Sequence, residues 1–271
     1  MEPTSTDRQF GGSIPQLYEQ YLVPLIFEPY AVDLAARVVD RRPARVLELA
    51  AGTGVVTRQL ARTLATEASI VATDLNPPML AEAAALGTAR PVDWQQADAH
   101  ALPFPDASFD VVACQFGAMF FDRPRAFAEA RRVLRDGGAF LFNVWDRIED
   151  NEFADVVTQG VATLFPADPP RFLARTPHGY HRPDAIVADL TQGGFARPPQ
   201  IVTLTARSRA SGPAIPAIAY CQGTPLRTEI ETRGPGRLLE ATGIAEAAVA
   251  ARFGTGPIDG KIQALVVGVE R

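Results

Sequence analysis

Between residues 44 and 146, short apolar runs alternate with segments whose apolar residues recur every three or four positions. ARVLELA (44–50), SIVATDL (69–75), FDVVACQF (109–116) and AFLFNVW (139–145) have the length and composition of strands, and VDWQQAD (92–98) alternates with a period of two. Between them TRQLARTLA (57–65), PPMLAEAAALG (77–87) and DRPRAFAEARRVLRDGG (122–138) carry helical spacing, the second closed by Gly87 and the third by a glycine pair. Short turns join the segments. This alternation predicts an α/β fold, a Rossmann-like doubly wound sheet with helices on both faces.

The flanks follow other rhythms. Residues 1–13 are polar and aperiodic. From Ile14 a helical face of Leu17, Tyr21, Leu25 and Ile26 emerges, with a break expected at Pro24, followed by a second helix over about 29–41. After Asp146 come an apolar helix, FADVVTQGVATLF, and a proline-rich loop, PADPPRFLARTPHGYHRP. A helix at 183–193, a strand at 200–209, helical segments with Gly and Pro breaks over 212–251 and a last strand at 261–270 complete the chain. The expected organisation is an N-terminal helical lid (1–42), a ligand-binding core (43–146), a cap insertion (147–182) and a C-terminal completion of the sheet (183–271) that carries a helical cap segment (210–256).

Composition narrows the function. The chain has 271 residues, 47% hydrophobic and 21% charged, with a formal net charge of −5 and no basic stretch, which argues against a nucleic-acid partner. Its basic residues are 25 Arg and one Lys, Lys261, so any lysine chemistry has a single candidate. Two cysteines and three scattered histidines do not make a metal-ligand cluster. The N-terminus MEPTSTDRQF is no signal peptide, and no window approaches the roughly 20 apolar residues of a membrane span. A reducing, cytoplasmic setting is expected, and a homodimer is an open expectation.

The chemistry concentrates in VLELAAGTGVVT, a strand that runs through a turn containing Gly52 and Gly54 into a helix. Such a turn lets backbone approach a ligand, and the helix start offers free N–H donors. Asp74 stands twenty residues beyond Gly54, at the end of the next strand, where a doubly wound fold presents a carboxylate to ribose hydroxyls. An adenosine-type cofactor follows. A nicotinamide-dependent reductase is the competing reading, but the loop lacks the third glycine of G-x-G-x-x-G, where Thr57 stands, and no Tyr-x-x-x-Lys pair exists. Glu48, just before the loop, would repel a pyrophosphate and favour a cationic amino group.

VLELAAGTG, ATDLNPPML, QQADAHALPFPDASFDVVACQFG and EARRVLRDGGAFLFNVWD together resemble the class I S-adenosylmethionine-dependent methyltransferases, most closely the type 11 or ubiquinone/menaquinone-biosynthesis kind, over about residues 44–146. The resemblance implies S-adenosyl-L-methionine as cofactor, with S-adenosyl-L-homocysteine as product. It places Glu48 near the methionine amino group, Ala50, Gly52 and Gly54 along the methionine and ribose, and Thr57 at the carboxylate end. Asp74 would hold the ribose hydroxyls, Leu75 and Met79 the adenine, Asp98 and Ala99 the adenine amino group and ring edge, and Gln115 would lie beneath the sulfonium. Tyr21 would reach the cofactor from the N-terminal helix. Ala50 departs from the family pattern, in which glycine is common. The resemblance also implies a seven-stranded sheet, mostly parallel, with an antiparallel last strand inserted between the fifth and sixth.

The methyl acceptor is less legible. The tetrapeptide Asn76-Pro77-Pro78-Met79 follows the second strand and opens a helix with Asn76 as its cap, whereas amino-methylating enzymes carry a similar motif after the fourth, where this chain has CQFG. An apolar, aromatic cap favours a small-molecule, partly apolar metabolite. His178 and His181, in the loop TPHGYHRP, are candidates for a general base or an orienting group, against the plainer role of turn residues. A non-catalytic protein that binds S-adenosylmethionine is the other alternative.

Overall fold

The computed structural model describes residue 7 and residues 10–271, so the expectation for residues 1–6, 8 and 9 lies outside the described residues. One seven-stranded sheet organises the chain. Its strands are β1 (Arg45–Glu48), β2 (Ser69–Asp74), β3 (Asp93–Gln96), β4 (Phe109–Gln115), β5 (Leu134–Trp145), β6 (Gln200–Ala210) and β7 (Ile258–Glu270), in the order β3-β2-β1-β4-β5-β7-β6. Strands β1 to β5 pair in parallel. Strand β7 runs antiparallel to both β5 and β6 and lies between them, the inserted reversed strand expected from the resemblance. The order reverses at β1 and β4, which opens a crevice at their C-terminal ends.

The helices α1 (Ile14–Leu17), α2 (Glu28–Asp40), α3 (Val55–Thr63), α4 (Pro77–Leu86), α5 (Arg123–Val133) and α8 (Pro183–Gln192) flank the sheet or lead onto it. α2 packs on α3, and α5 on α8. Strand β4 is covered on both faces, which is why Val111, Val112, Ala113 and Cys114 are all buried and apolar. The edge strand β6 instead turns charge outward, with Arg207 and Arg209 paired to Asp259 of β7.

The remaining helices, α6 (Glu152–Leu164), α7 (Phe172–Arg175), α9 (Ala214–Gln222), α10 (Leu226–Arg233) and α11 (Leu238–Phe253), form a second layer. α6 and α9 pack on α11, and α9 also packs on the segment Tyr18–Phe27. Gly160 of α6 permits the closest approach: a Cβ there would lie 2.9 Å from Ala248 Cβ.

Two elements differ from the sequence expectation. Tyr18–Phe27 is π-helical and carries Pro24 inside it, with no break. A π-helix bonds i→i+5, so the i−4 carbonyl that a proline ring would crowd in an α-helix is no longer required as a partner. The helix expected to run to the glycine pair stops at Val133, and β5 begins at once. The pair lies in an irregularity of β5, where the register jumps from Leu134 opposite Phe109 to Ala139 opposite Val111. Gly138 is required there, because a Cβ would come within 2.9 Å of two backbone oxygens, those of Arg135 and Asp110.

Candidate active site

The loops after β1, β2, β3 and β4 and the end of β5 surround one cavity, roofed by the π-helical segment and by residues of the 172–178 and 220–225 stretches. Asp74, at the tip of β2, is at its wall. The carboxylate is 7% exposed; one oxygen accepts the Gly52 N–H (2.9 Å), and the other accepts the Asn76 N–H (2.8 Å) and side-chain amide (3.3 Å). These bonds fix its orientation and leave lone pairs for a ligand. Burial pushes its pKa up, and the bonds from Asn76 and Gly52 oppose the rise. The Asn76 side chain makes no cap bond to α4, contrary to expectation. It turns back to Asp74 and accepts the Phe10 N–H at 3.4 Å, tying the N-terminal segment to the β2 loop.

Strand β1 delivers the glycine turn. Gly52 faces the cavity with φ +57°, and a Cβ there would sit 3.6 Å from Met79 Cε, so a side chain would intrude on the ligand space. Gly54 does something else: a Cβ would strike Trp94 at 2.8 Å, so this glycine seats α3 against β3 and α4 and does not line the cavity. Glu48 and Thr57 are likewise behind the wall. The Thr57 hydroxyl donates to Glu48 at 2.6 Å, and both side chains are buried. Burial raises the Glu48 pKa to about 8, against the Thr57 bond and the nearby Arg58 guanidinium, with Asp74 adding to the rise. Arg58 ties this loop to the roof by bonding Glu19 and the Thr53 carbonyl, both at 2.6 Å.

Ala50 does line the cavity, in the left-handed region at φ +51°. That explains why glycine is the easier residue here, and the structure also shows how alanine is accommodated. A Cβ on Gly117, in the loop after β4, would lie 2.6 Å from the Ala50 methyl, so the absent side chain of one loop makes room for the methyl of the other.

Strand β4 ends in Gln115, which is buried, reaches the cavity and bonds the Phe27 carbonyl (Nε2 to O, 3.4 Å) while accepting from Asn143 (3.4 Å). Phe116 follows at φ +51°, an uncommon conformation for an aromatic residue. Its N–H donates to the Asn143 side-chain oxygen (3.0 Å), and its ring stacks on Trp145 with centroids 3.8 Å apart and planes 3° from parallel. Phe27 and Tyr30 pack around the pair, giving the cavity an aromatic floor. Leu75 and Met79 complete the wall near Asp74, and Asp98 and Ala99 form the rim after β3. Burial pushes the Asp98 pKa up, but the His100 N–H groups and the Arg125 charge outweigh it and hold the group below its ordinary value. The His100 ring has a defined tautomer: Nε2 accepts the Asp122 N–H (2.9 Å), so Nδ1 donates to Asp98 (2.5 Å).

The roof departs from expectation at one residue. Tyr21 does not line the cavity; Tyr18 does. The apolar pattern groups residues 17, 21 and 25 on one face, whereas the residues of this segment that line the cavity are Tyr18, Leu22, Ile26 and Phe27. Tyr18 stacks on Phe27 (4.9 Å) and meets Phe10 edge-on (6.3 Å). Asp7 makes a two-point ion pair with Arg175, at 2.5 and 2.8 Å.

Of the two histidine candidates, His178 reaches the cavity and His181 does not. His178 is 5% exposed, and its Nδ1 lies 2.8 Å from the Asp146 carbonyl oxygen. A carbonyl only accepts, so Nδ1 carries the proton and Nε2 is left as a lone-pair acceptor. Burial lowers the His178 pKa to about 4, with the Asp146 bond opposing and His181 assisting, which keeps the ring neutral near pH 7. His181 bonds the His178 carbonyl (2.8 Å) and acts as a turn residue. Sequence reasoning did not assign Trp145, Gly117 or Asn143 to the site. Asn143 left a signal, as the only polar residue in the run AFLFNVW; Gly117 and Trp145 left none beyond their place at strand ends.

With this geometry in view, the relatives are informative. A methyltransferase domain family matches residues 47–142. The chain is 33% identical over 175 residues to a ubiquinone/menaquinone biosynthesis C-methyltransferase UbiE from Methylobacterium nodulans, covering 60% of this chain and 69% of that one. It is 43% identical over 114 residues to a demethylmenaquinone methyltransferase from Thermus thermophilus, covering 41% of this chain and half (50%) of the relative's length. Among solved structures, the YcgJ protein of Bacillus subtilis is 21% identical with a TM-score of 0.57, covering 90% of this chain and 99% of that one. The cyclase SpnF is 17% identical, again with a TM-score of 0.57, covering 99% and 97%. These two likenesses concern the fold alone. The match to the UbiE enzyme of Methylobacterium nodulans, together with the methyltransferase-domain match over residues 47–142, shows that the chain belongs to the class I S-adenosylmethionine-dependent methyltransferases of the UbiE type.

Proposed function

We propose that the chain transfers a methyl group from S-adenosyl-L-methionine to a small, neutral, partly apolar acceptor. The observation that carries this reading is Asp74, a buried carboxylate held by backbone N–H groups at a strand tip, on the wall of a cavity whose other end is aromatic. The donor side suits a nucleoside with an amino-acid tail. Asp74 would take the ribose hydroxyls, Leu75 and Met79 would flank the adenine, Asp98 and Ala99 would meet its edge, and the bare backbone of Gly52 would let the tail pass. Glu48 and Thr57 would act from behind the wall, through the bond that joins the end of β1 to the start of α3. Tyr18 replaces Tyr21 as the roof residue in this reading. When bound, S-adenosyl-L-methionine supplies an electrophilic methyl, so the protein's part is to align the methyl acceptor and exclude water.

The acceptor side carries no Arg or Lys among its described lining residues, which favours an uncharged molecule. Relatives named for ubiquinone and menaquinone biosynthesis make a quinone-type ring the first acceptor to try. Residues 1–42 would serve as lid and residues 147–182 and 210–256 as cap over the 43–146 core. Two buried free thiols, Cys114 and Cys221, fit a reducing, cytoplasmic setting. Among the described residues no helix is long and apolar enough to cross a membrane. A homodimer is part of the proposal, to be tested by light scattering.

Scanning fluorimetry tests the reading. S-adenosyl-L-homocysteine should raise the melting temperature while NADPH leaves it unchanged; the reverse would favour a reductase. Transfer of labelled methyl from the cofactor into a metabolite extract should then separate an enzyme from a silent binder.

A further inference from the structure

The cavity rim after β3 holds a carboxylate with one oxygen in use and one spare. Asp98 Oδ1 accepts two bonds from His100, from its backbone N–H (2.9 Å) and from Nδ1 (2.5 Å). Asp98 Oδ2 has no hydrogen-bond partner among the described residues. Both residues line the cavity, but the His100 side chain is 11% exposed and that of Asp98 is 48% exposed.

A carboxylate so open to solvent turns easily about its last torsion, whose minima are broad and near twofold, unless a neighbour holds it. His100 supplies the hold and is itself held on several sides. The Asp122 N–H, at the start of α5, donates to Nε2 (2.9 Å). Arg125 of α5 donates from Nε to the His100 carbonyl (3.0 Å). The Phe121 ring meets the imidazole edge-on, with centroids 5.8 Å apart. A neutral imidazole that accepts at Nε2 must carry its proton on Nδ1, so the Asp122 N–H also decides which nitrogen donates to Asp98. This chain of bonds ends in a single free oxygen that can only accept.

We propose that His100 is a positioning residue of the donor site: by fixing Asp98 through Oδ1 it leaves Oδ2 as a rigid acceptor, and so gives the site its preference for a purine with a 6-amino group over one with a 6-oxo group. This rests on the methyltransferase reading above, in which Asp98 meets the adenine edge. An amino group donates to Oδ2, whereas a 6-oxo group sets acceptor against acceptor. A loose carboxylate can turn to take the N1–H that a 6-oxo purine carries. A pinned one cannot follow.

The test is calorimetric titration of the full chain with S-adenosyl-L-homocysteine and with its 6-oxo analogue, S-inosyl-L-homocysteine. The parent should prefer the adenine compound at least tenfold. His100→Gln keeps an acceptor for the Asp122 N–H and deletes the donor to Asp98, and should cut the preference to threefold or less. His100→Asn keeps a donor to Asp98 and deletes the acceptor for Asp122. Its preference should stay within twofold of the parent's, even where both affinities fall. A merely structural role would weaken both ligands together and leave the ratio unchanged in both variants, and that result overturns the proposal. So does loss of the preference in both variants alike, because the Nδ1 donor would then not be its cause. A parent that binds both compounds equally also overturns it and leaves the methyltransferase reading standing. A parent that binds neither brings down both.

Discussion

The two ends of the cavity are built differently. The end around Asp74 is made of backbone: β1, β2 and their turns supply N–H groups, a bare glycine and one oriented carboxylate, all from a stretch of about thirty residues. The end under the roof is made of side chains gathered from far apart, with Phe116, Trp145, His178 and Tyr220 drawn from four segments. A ligand common to many enzymes is met by local geometry that a short motif encodes. A ligand particular to one enzyme is met by long-range packing that no motif records.

Substitutions probe this contrast, beginning where the two ends touch. Gly117→Ala would place a methyl 2.6 Å from Ala50 Cβ and 2.7 Å from Cys114 Sγ. Overpacking of this kind costs about 1–3 kcal/mol, read as a lower urea midpoint, and adding Ala50→Gly should recover part of the loss. Failure to recover any would break the claimed link between the β1 and β4 loops. Glu48→Gln should act next most strongly and only at higher pH. With its folded pKa raised to about 8 from an ordinary 4.5, Glu48 keeps a proton in the folded protein that the unfolded chain has lost. Wild-type stability therefore falls as pH rises through that window, and the amide variant should gain on wild type from pH 5 to pH 8 in parallel thermal melts.

His178 has the opposite slope. Its folded pKa of about 4 lies below the ordinary 6.5, so between those values the unfolded chain holds more protons and stability falls as pH drops. His178→Asn should flatten that part of the stability profile; an unchanged acid slope would mean the ring is not held neutral. The smallest effect is expected for Ala50→Gly alone. Relief of the left-handed strain at φ +51° is offset by the greater freedom of glycine in the unfolded chain, for a net change within about 1 kcal/mol by denaturant titration.

The same contrast governs what the sequence revealed. The core strands were visible because each is a compact apolar run with turns at both ends, and Asp74 was visible because its spacing from Gly54 is local. Nothing in the apolar pattern of this segment separates Tyr18 from Tyr21, because both stand at i, i+4 spacing from further apolar residues, and Pro24 suggests a break that the wider turn absorbs. The Gly137–Gly138 pair has the composition of a helix stop, yet it serves a strand irregularity set by the register with β4. Thr57 and Gly54 follow the family pattern in sequence, but their contacts, to Glu48 and Trp94, point away from the cavity. His178 and Tyr220 reach one cavity only by folding.

Calorimetric titration of S-adenosyl-L-homocysteine into wild type and Asp74→Ala tests the central claim most directly. The carboxylate's charge-assisted bonds to a ribose diol predict a loss of about 1–3 kcal/mol in the variant, roughly a 5- to 150-fold weaker dissociation constant. Equal affinities in the two proteins would contradict the account.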